Sequence, residues 1–316
     1  MKNKQIVITL GDPNGIGTEI TIKALQAIGC EKEIVIVGNK SLLDFYGGSE
    51  IISKYEIVEL PFEKNDIKCG EISSLAGSFA FNSIKTACEL TTKKQIKALV
   101  TAPVSKTAMN LAGFNYSGQT EILEKCLAHD NQKAQMLICA KKQNLLLLTR
   151  HIPLEQVSTK LTKELVINTI KQTFVVFQEK FKIQNPKFAL CALNPHAGEE
   201  GLLGKEEQNI LIPAIEEIKS LNIDINGPFP ADAFFAKIAE TYWSKNECDY
   251  NCIFTPYHDQ GLIPIKMLAG KKAVNTTIGL DIIRTSPAHG TAFDIAGKNI
   301  ADATSMIEAL KFALNI

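Results

Sequence analysis

The sequence has 316 residues, 45% of them hydrophobic and 22% charged, which is an ordinary balance for a globular chain of about two domains. Lysine plus arginine and aspartate plus glutamate both number 34, and this net charge of zero argues against a surface that binds nucleic acid or an anionic membrane. The apolar runs are shorter than the ~18 residues of a membrane span, and the first is too short for a signal peptide, so we expect a cytoplasmic protein.

Short apolar runs alternate with longer helical patterns along the whole chain. In chain order, the apolar runs predict strands at Gln5–Leu10, Glu33–Val37, Glu56–Leu60, Ala98–Thr101, Gln135–Ala140, Asn144–Leu148, Lys187–Ala192 and Cys252–Phe254. The helical patterns predict helices at Thr18–Ile28, Phe79–Thr91, Lys160–Phe181, Lys205–Leu221, Ala233–Ser244 and Ala301–Leu314. This alternation predicts largely parallel sheets covered by helices on both faces, with ligands at the carboxyl ends of the strands.

The first predicted strand runs into a glycine-rich loop, Gly11-Asp12-Pro13-Asn14-Gly15-Ile16-Gly17-Thr18, which opens a helix. Glycines allow the backbone to approach a ligand closely, and a helix start offers free N–H groups to an anion. The loop fits no standard nucleotide fingerprint. A tight strand-to-helix turn capped by Thr18 is the alternative, and the residues leave both interpretations open.

Three of the five histidines lie just past the carboxyl end of a predicted strand, beside proline or glycine: His151, His196 and His258. Three neutral imidazoles can hold a divalent cation and leave positions open on it, as a catalytic site requires. Three separate loop histidines that form backbone hydrogen bonds are the alternative. None of the eight cysteines belongs to a C-x-x-C pair, which excludes a cysteine-based zinc or redox motif.

Two acidic residues are candidates for work beside these histidines. Asp259 follows His258 directly, and Asp232 ends the segment Gly227-Pro228-Phe229-Pro230-Ala231-Asp232. Each is a candidate metal ligand, partner of a ligand or proton acceptor. For Asp232 the alternative is an N-cap of a helix that starts at Ala233.

Lys266, Asn275 and Arg284 follow His258 at short intervals, and Arg284 ends an apolar run. Together they are suited to clamp a phosphate or carboxylate, with arginine bidentate and lysine as a point charge. Taken singly, each also fits a solvated surface position.

Eight segments of the chain together resemble the 4-hydroxythreonine-4-phosphate dehydrogenase family of pyridoxal phosphate biosynthesis. They occur in the family's order and span nearly the whole chain: GDPNGIGTE (11–19), VTAPVSK (100–106), SGQTE (117–121), RHIPL (150–154), NPHAGE (194–199), GPFPAD (227–232), YHDQG (257–261) and HGTAFDIAGK (289–298). The first and last segments also resemble loops of isocitrate and isopropylmalate dehydrogenases. The resemblance therefore implies two α/β/α domains with largely parallel sheets and an active-site cleft between them.

The resemblance implies a role for each matching residue. The metal ligands would be His151, His196 and His258, and the substrate contacts Gln119, Thr120, Lys266, Asn275 and Arg284. The catalytic candidates are Asp232, Asp259 and Lys266, and the nicotinamide cofactor falls on Gly11, Asp12, Gly15, His289, Gly290 and Asp294. We place one domain at 1–130 with 275–316, carrying the cofactor site, and the second at 131–274, carrying the three histidines and a dimer interface.

The implied activity is an NAD- or NADP-dependent oxidation of 4-phosphooxy-L-threonine that needs one divalent metal ion, Zn, Mg or Co. The implied assembly is a homodimer whose active sites are built from both protomers. Three departures from the family pattern stand out: Gln119 replaces a histidine, Arg150 replaces a small hydroxyl residue, and 269–273 replaces a glycine-rich stretch. Three rival interpretations stay open, namely another phosphorylated or cis-diol acid as substrate, a metal-dependent hydrolase or lyase without cofactor, and a non-catalytic binding protein.

Overall fold

The computed structural model of the protein describes residues 5–29, 33–93, 96–129, 132–141, 143–244 and 249–316. The chain divides into two compact units, unit 1 with residues 1–134 and 274–316, and unit 2 with residues 135–273. The boundaries predicted from the sequence fall after residues 130 and 274. No helix among the described residues is both long enough and apolar enough to cross a membrane.

The described residues form eleven strands and twelve α-helices. The strands are β1 (Gln5–Thr9), β2 (Ile34–Gly38), β3 (Glu56–Glu59), β4 (Ile96–Thr101), β5 (Gln135–Ala140), β6 (Gln143–Leu147), β7 (Phe188–Cys191), β8 (Ile225–Phe229), β9 (Cys252–Thr255), β10 (Val274–Ile278) and β11 (Ile283–Pro287). The helices are α1 (Gly17–Ile28), α2 (Lys40–Phe45), α3 (Ser49–Lys54), α4 (Ser74–Lys93), α5 (Lys106–Leu111), α6 (Gln119–Leu127), α7 (Val157–Lys160), α8 (Lys163–Glu179), α9 (Ile212–Ser220), α10 (Ala231–Ser244), α11 (His258–Ala269) and α12 (Thr304–Leu314).

In unit 1 the strand order is β3-β2-β1-β4-β11-β10. All neighbours are parallel except β10 and β11, which form an antiparallel pair. The strands β1 and β2 are almost wholly apolar, as expected for parallel strands buried on both faces. On one face a buried cluster joins β1, β2 and β4 to α4 and α6, and α12 packs against β4, β11 and α1.

In unit 2 the strand order is β5-β6-β9-β7-β8, parallel except for the antiparallel pair of β5 and β6. Helices α10 and α11 bury their apolar sides against strands of this sheet in two clusters. Phe188 of β7 contacts three rings edge-on or nearly so: Phe174 and Phe177 of α8, and Phe254 of β9. The α/β class with largely parallel strands is therefore confirmed.

The sequence did not predict the short helices α2, α3, α5, α6 and α7, nor four elements whose composition hides their type, β8, β10, β11 and α11. Strand β8 contains Gly227 and Pro228, joined by a cis peptide bond, and lies at the end of the strand order, where proline is tolerated. Strands β10 and β11, with the sequences VNTTI and IRTSP, carry polar side chains in a buried setting. Helix α11 contains Gly261 and Pro264, which read as a loop in the sequence.

Candidate active site

Unit 2 brings two of the three predicted metal ligands together. The rings of His151 and His258 lie with their centroids 5.6 Å apart. Two imidazoles that share one cation at about 2.1 Å from each ligating nitrogen have centroids roughly 4.5–6 Å apart, so this spacing fits a shared ion. Among the described residues no group of three His, Cys, Asp or Glu side chains is arranged to hold a metal, so His196 does not stand in a cluster with the pair.

Asp259 orients the ring of His258. The Nδ1 atom of His258, the first residue of α11, lies 2.6 Å from Oδ1 of Asp259. Because a carboxylate only accepts, this contact places the ring proton on Nδ1 and leaves Nε2 as a lone-pair donor for a cation. A carboxylate on the remote nitrogen of a ligating histidine is a common arrangement in metal sites. The geometry thus favours the role of ligand partner for Asp259.

His196 lies in a turn with an unusual backbone. Residues 196–200, which we call the left-handed turn, all have positive φ, between 43° and 82°. Only Gly198 among them is a glycine, and each non-glycine residue in this conformation costs about 1–2 kcal/mol. The turn holds His196 exposed directly after Asn194 and Pro195. Strained residues of this kind cluster at functional sites.

Asp232 and Lys266 lie exposed on the helices of unit 2. Helix α10 begins at Ala231, so Asp232 sits inside its first turn, and the N-cap alternative with a helix start at Ala233 was wrong. A carboxylate in a first turn interacts favourably with the helix dipole. Lys266 is in the last turn of α11, which begins with His258.

Arg284 of β11 is a buried cation. Its side chain is 4% exposed, Nε donates to Thr101 Oγ1 at 2.7 Å, and an Nη atom lies 3.5 Å from Thr277 Oγ1. Burial lowers the pKa of the guanidinium to about 9, so it stays charged at neutral pH. No carboxylate of the described residues pairs with it. A buried, unpaired guanidinium is costly unless an anion neutralises it, so Arg284 is a candidate binding group for an anion.

Three other predicted substrate residues, Asn275, Gln119 and Thr120, lie in the same unit as Arg284, whereas Lys266 lies in unit 2. Asn275 is half-buried on β10, opposite Ser286 of β11. Gln119 and Thr120 begin α6, and Gln119 Nε2 donates to the carbonyl of Ala102, the residue after Thr101. The buried Oε1 of Gln119 has no hydrogen-bond partner among the described residues, so an acceptor is left for a ligand or water.

The glycine-rich loop of the first strand is a closed turn. Its N–H groups donate within the protein, from Asp12 to Pro103 O, from Gly15 to Asp12 O and from Ile16 to Thr291 O. Residues 11–20 are all buried. Helix α1 starts at Gly17, and no side chain caps it, so the predicted cap by Thr18 was wrong.

Gly11, Asp12 and Gly15 therefore form a structural turn in the described geometry. A Cβ on Gly11 would overlap the carbonyl oxygen of Pro103, and its φ is +75°, which explains the glycine. Asp12 is fully buried, one oxygen accepts from the N–H of Asn14 and the other has no partner among the described residues. Desolvation raises the pKa of this carboxyl from 3.8 to about 6, opposed in part by the N–H groups of Asn14 and Ser105.

The loop near the carboxyl terminus presents the exposed part of the predicted cofactor site. His289, Gly290 and Asp294 are all exposed, and His289 Nδ1 lies 2.9 Å from the carbonyl of Gly290. A Cβ added to Gly290 would have no atom within 4 Å, so open space lies beside its backbone. Thr291 in this loop accepts from Ile16, which ties the loop to the first turn.

Comparison with known proteins identifies the family. Residues 3–313 match the model of "Pyridoxal phosphate biosynthetic protein PdxA". The chain belongs to the PdxA family. It is 38% identical to a 4-hydroxythreonine-4-phosphate dehydrogenase of Sulfurihydrogenibium sp., over 98% of this chain and 97% of the relative. It is also 35% identical to a D-threonate 4-phosphate dehydrogenase of Cupriavidus necator, over 97% and 95%.

Solved structures agree with this membership. A 4-hydroxythreonine-4-phosphate dehydrogenase of Klebsiella pneumoniae superimposes with a TM-score of 0.85 at 31% identity, over 99% of both chains. An isocitrate dehydrogenase of Methylococcus capsulatus superimposes with a TM-score of 0.50 at 17% identity, over 98% of this chain and 85% of that one. This second likeness shows the fold alone, and it confirms the predicted relationship to isocitrate dehydrogenases at that level. As a PdxA-family member the chain is an oxidoreductase.

Two polar residues of the anion site were absent from the sequence prediction. Thr101 ends β4 and Thr277 lies opposite Arg284 in the antiparallel pair, and both hydroxyls face the guanidinium. Both threonines are buried. The sequence signal that could have identified them is a short polar segment between two apolar segments, since buried polar groups require hydrogen-bond partners.

Proposed function

We propose that this protein is a cytoplasmic dehydrogenase that uses NAD or NADP and a divalent metal ion to oxidise 4-phosphooxy-L-threonine. The product would be 2-amino-3-oxo-4-phosphooxybutanoate, which decarboxylates to 3-amino-2-oxopropyl phosphate, a step in pyridoxine 5'-phosphate biosynthesis. The observation that carries this proposal is the full-length match to relatives of that name. The paired rings in unit 2 and the buried guanidinium in unit 1 support its two chemical requirements.

The metal site would be formed by His151 and His258, whose rings lie together, and by His196, which in the proposed homodimer would come from the second copy of the chain. Asp259 would fix the tautomer of His258. A divalent cation held there, Zn, Mg or Co, acidifies a bound hydroxyl and so permits its deprotonation near neutral pH. Because Asp259 is engaged by His258 Nδ1, Asp232 and Lys266 are the stronger candidates to accept the hydroxyl proton.

The phosphate of the substrate would lie against Arg284. Hydrogen bonds to charged groups contribute about 1.5–3 kcal/mol each, and a guanidinium can donate two in parallel to a phosphate. Gln119, Thr120, Asn275 and Lys266 would complete the substrate contacts. The buried Oε1 of Gln119 supports this role, since it is an acceptor that a substrate N–H or O–H could satisfy.

The nicotinamide cofactor would be held by the exposed loop with His289, Gly290 and Asp294. Open space beside Gly290 allows a ligand to approach the backbone there. Gly11, Asp12 and Gly15 would support this loop from beneath, through the bond from Ile16 to Thr291, and would not contact the cofactor. The protein's part in hydride transfer is to orient the cofactor, which carries the chemistry itself.

We further propose a homodimer whose active sites are built from both protomers. Large apolar side chains of unit 2 are exposed shortly after each of the three histidines: Leu154 at 71%, Leu202 at 84%, and Ile263 and Met267 at 57% and 77%. Exposed apolar groups of this size are typical of protein interfaces. A second copy that covers them would bury the metal site and exclude water from it. Sedimentation velocity of the full chain would then give a dimer, and a monomer at micromolar concentration would contradict this assembly.

A second substrate is favoured by a specific observation. The chain is 35% identical to a D-threonate 4-phosphate dehydrogenase, and Gln119 stands where the 4-hydroxythreonine-4-phosphate dehydrogenase pattern has histidine. D-threonate 4-phosphate carries a hydroxyl in place of the amine, so an uncharged amide at position 119 suits either group. The matched variant Gln119→His separates the two, because a return to the family residue should raise kcat/KM for 4-phosphooxy-L-threonine and lower it for D-threonate 4-phosphate.

The proposed activity is tested by following NADH formation from both phosphorylated substrates, before and after treatment with a chelator and after addition of Zn²⁺, Mg²⁺ or Co²⁺. We expect turnover of at least one substrate, its loss on chelation and its return with metal. Turnover that survives complete metal removal would overturn the metal role, and absence of turnover with every phosphorylated hydroxy acid would overturn the substrate class.

A further inference from the structure

A buried carboxylate lies behind the left-handed turn of His196. Glu207 is 2% exposed, and its Oε1 accepts from the N–H of Leu193 at 2.8 Å and from that of Asn194 at 2.9 Å. Its Oε2 accepts from Nδ2 of Asn194 at 2.9 Å. No lysine, arginine or histidine of the described residues pairs with Glu207. The charge is therefore directed entirely at the two residues that lead into Pro195 and His196.

The surrounding residues leave this segment little freedom. The second hydrogen of Asn194 Nδ2 goes to Glu206 Oε2 at 2.7 Å, so the amide is held by two carboxylates. A Cβ added to Gly204 would overlap the Asn194 side chain, and one on Gly198 would lie 2.7 Å from Glu207 Oε2. Glu207 itself begins a π-helical turn, Glu207–Leu211, a rare conformation that recurs at functional sites.

The energetic balance explains why such an anchor is needed. Four non-glycine residues of the left-handed turn would each be more stable in an ordinary conformation. The three hydrogen bonds that Glu207 accepts from Leu193 and Asn194 oppose this relaxation, because they fix the backbone that leads into the turn. Strain that is held in place by surrounding structure in this way is typical of active sites and ligand clamps.

We propose that Glu207 is a positioning residue that holds His196 in the orientation in which its ring ligates the metal. This inference rests on the proposed function, since it assumes that His196 is a ligand. Glu207 does not touch metal or substrate, and it acts through the backbone of Leu193 and Asn194. Partners one step removed from the ligands typically change metal affinity by about 10–100-fold when they are replaced.

The decisive variant is Glu207→Gln, which keeps the size of the side chain and one carbonyl oxygen for the two backbone bonds. The new NH₂ group would then face the NH₂ group of Asn194, so that two hydrogen-bond donors would meet in one contact. Glu216→Gln is the matched control, because it removes the same charge from an exposed position of α9. In the double variant Asn194→Asp with Glu207→Gln, built on a Glu206→Gln background so that the new carboxylate at position 194 faces no second carboxylate, donor and acceptor are exchanged and the contact is restored.

The measurement is the Kd of the purified full chain for Co²⁺, by competition with a chromophoric chelator, beside the melting temperature in excess chelator. We expect Glu207→Gln to raise Kd by about 10–100-fold, the control to leave it unchanged, and the double variant to recover most of the loss. If Glu207→Gln does not fold, Asn194→Ala, which leaves both backbone bonds in place, is measured instead and is expected to weaken binding about tenfold.

The outcomes separate the two proposals. A Glu207→Gln protein that melts lower but binds Co²⁺ as tightly as the wild type would overturn the positioning role and leave the metal site intact. Failure of the double variant to recover binding would overturn the exchange of hydrogen bonds on which the role depends. If His196→Ala binds Co²⁺ as the wild type does, the proposed metal site itself falls, and the role of Glu207 falls with it.

Discussion

Two turns of this protein follow a buried strand and contain glycine, yet they are built in opposite ways. The first, residues 11–17, is buried throughout, and its N–H groups are donated to the protein itself. The second, residues 194–200, leaves His196 exposed, is strained at four non-glycine residues and is held by a buried carboxylate. Glycine in the first turn allows close packing. In the second, the strain is maintained around a residue that can bind a metal.

The difference shows what a glycine-rich strand-to-helix turn can and cannot indicate. A ligand loop needs free donors at its surface, and the N–H groups of Asp12, Asn14, Gly15 and Ile16 in the first turn already have acceptors within the protein. The second turn has the features of a functional site, because its backbone adopts an unfavourable conformation that leaves the imidazole of His196 exposed. The comparison predicts that variants of the first turn change stability and those of the second change metal binding and turnover.

The largest expected effect is that of His196→Ala. Because Lewis-acid polarisation by a metal is worth several kcal/mol and each 1.4 kcal/mol is tenfold in rate, kcat should fall by about 10³-fold or more. The exposed ring contributes little to packing, so the urea midpoint should stay within experimental error. His129→Ala, another exposed histidine, is the control and should keep full activity. Near-normal turnover of the His196 variant would remove the contrast between the two turns.

Gly11→Ala tests the structural side of the comparison. The new methyl group overlaps the carbonyl of Pro103 and the backbone has φ of +75°, so we expect a loss of about 2–5 kcal/mol in the free energy of unfolding. Gly113→Ala shares a positive φ of 86° but has no neighbour within 4 Å, so it should lose only about 1–2 kcal/mol. Equal losses from urea unfolding of the two variants would show that the first turn is not tightly packed.

Asp12 predicts a pH dependence of stability with a defined sign. Its pKa is about 6 in the folded protein and 3.8 in the reference state, so between these values the folded protein binds the proton more tightly. Its contribution is fully present below about pH 4 and is lost as pH rises through 6, a change of about 3 kcal/mol. Asp12→Asn removes this slope, which urea unfolding at pH 4, 5, 6 and 7 will show.

Asp44 supplies a control of opposite sign for that experiment. It is exposed, and hydrogen bonds from Ser49 and Lys64 lower the pKa of its carboxyl. Its contribution is present at neutral pH and is lost as pH falls, so Asp44→Asn should alter only the acid end of the profile. A wild-type profile unchanged by Asp12→Asn would mean that this carboxyl has the same pKa in the folded and unfolded protein.

Arg284→Ala extends the comparison to a buried residue that we assign to binding. It should raise KM for the phosphorylated substrate by about 10–100-fold, the equivalent of one charge-assisted hydrogen bond. KM for NAD should not change, and Lys85→Ala, an exposed lysine of α4, should alter neither constant. A rise in KM for NAD instead would place Arg284 in the cofactor half of the site.

The sequence was sufficient for the class of fold and for most strands, because buried parallel strands are apolar runs that alternate with helical patterns. It was insufficient where function replaces those patterns. Strands β10 and β11 carry Asn275 and Arg284 and were missed because their buried residues are polar. Helix α11, which begins at His258, was missed because Gly261 and Pro264 interrupt its helical pattern. Gly261 is needed there because a larger side chain would overlap Leu145 and Thr255.

The residues of the candidate site also divide into those that the sequence identified and those that only the folded chain shows. Spacing after strands identified His151 and His258, and the structure places their rings together. Glycine content suggested cofactor contacts for Gly11 and Gly15 that the closed turn argues against. Glu207 could not have been found, because only the folded chain shows that its carboxylate reaches back to the residues before His196.

In the proposed site three imidazoles bind one cation, while the first turn serves as a scaffold. The most direct test is an anomalous-difference map, at the cobalt absorption edge, of crystals of the full chain grown with Co²⁺. We predict one strong peak about 2.1 Å from ring nitrogens of His151, His196 and His258. A peak that lies elsewhere, or one that His196 does not contact, would contradict the account.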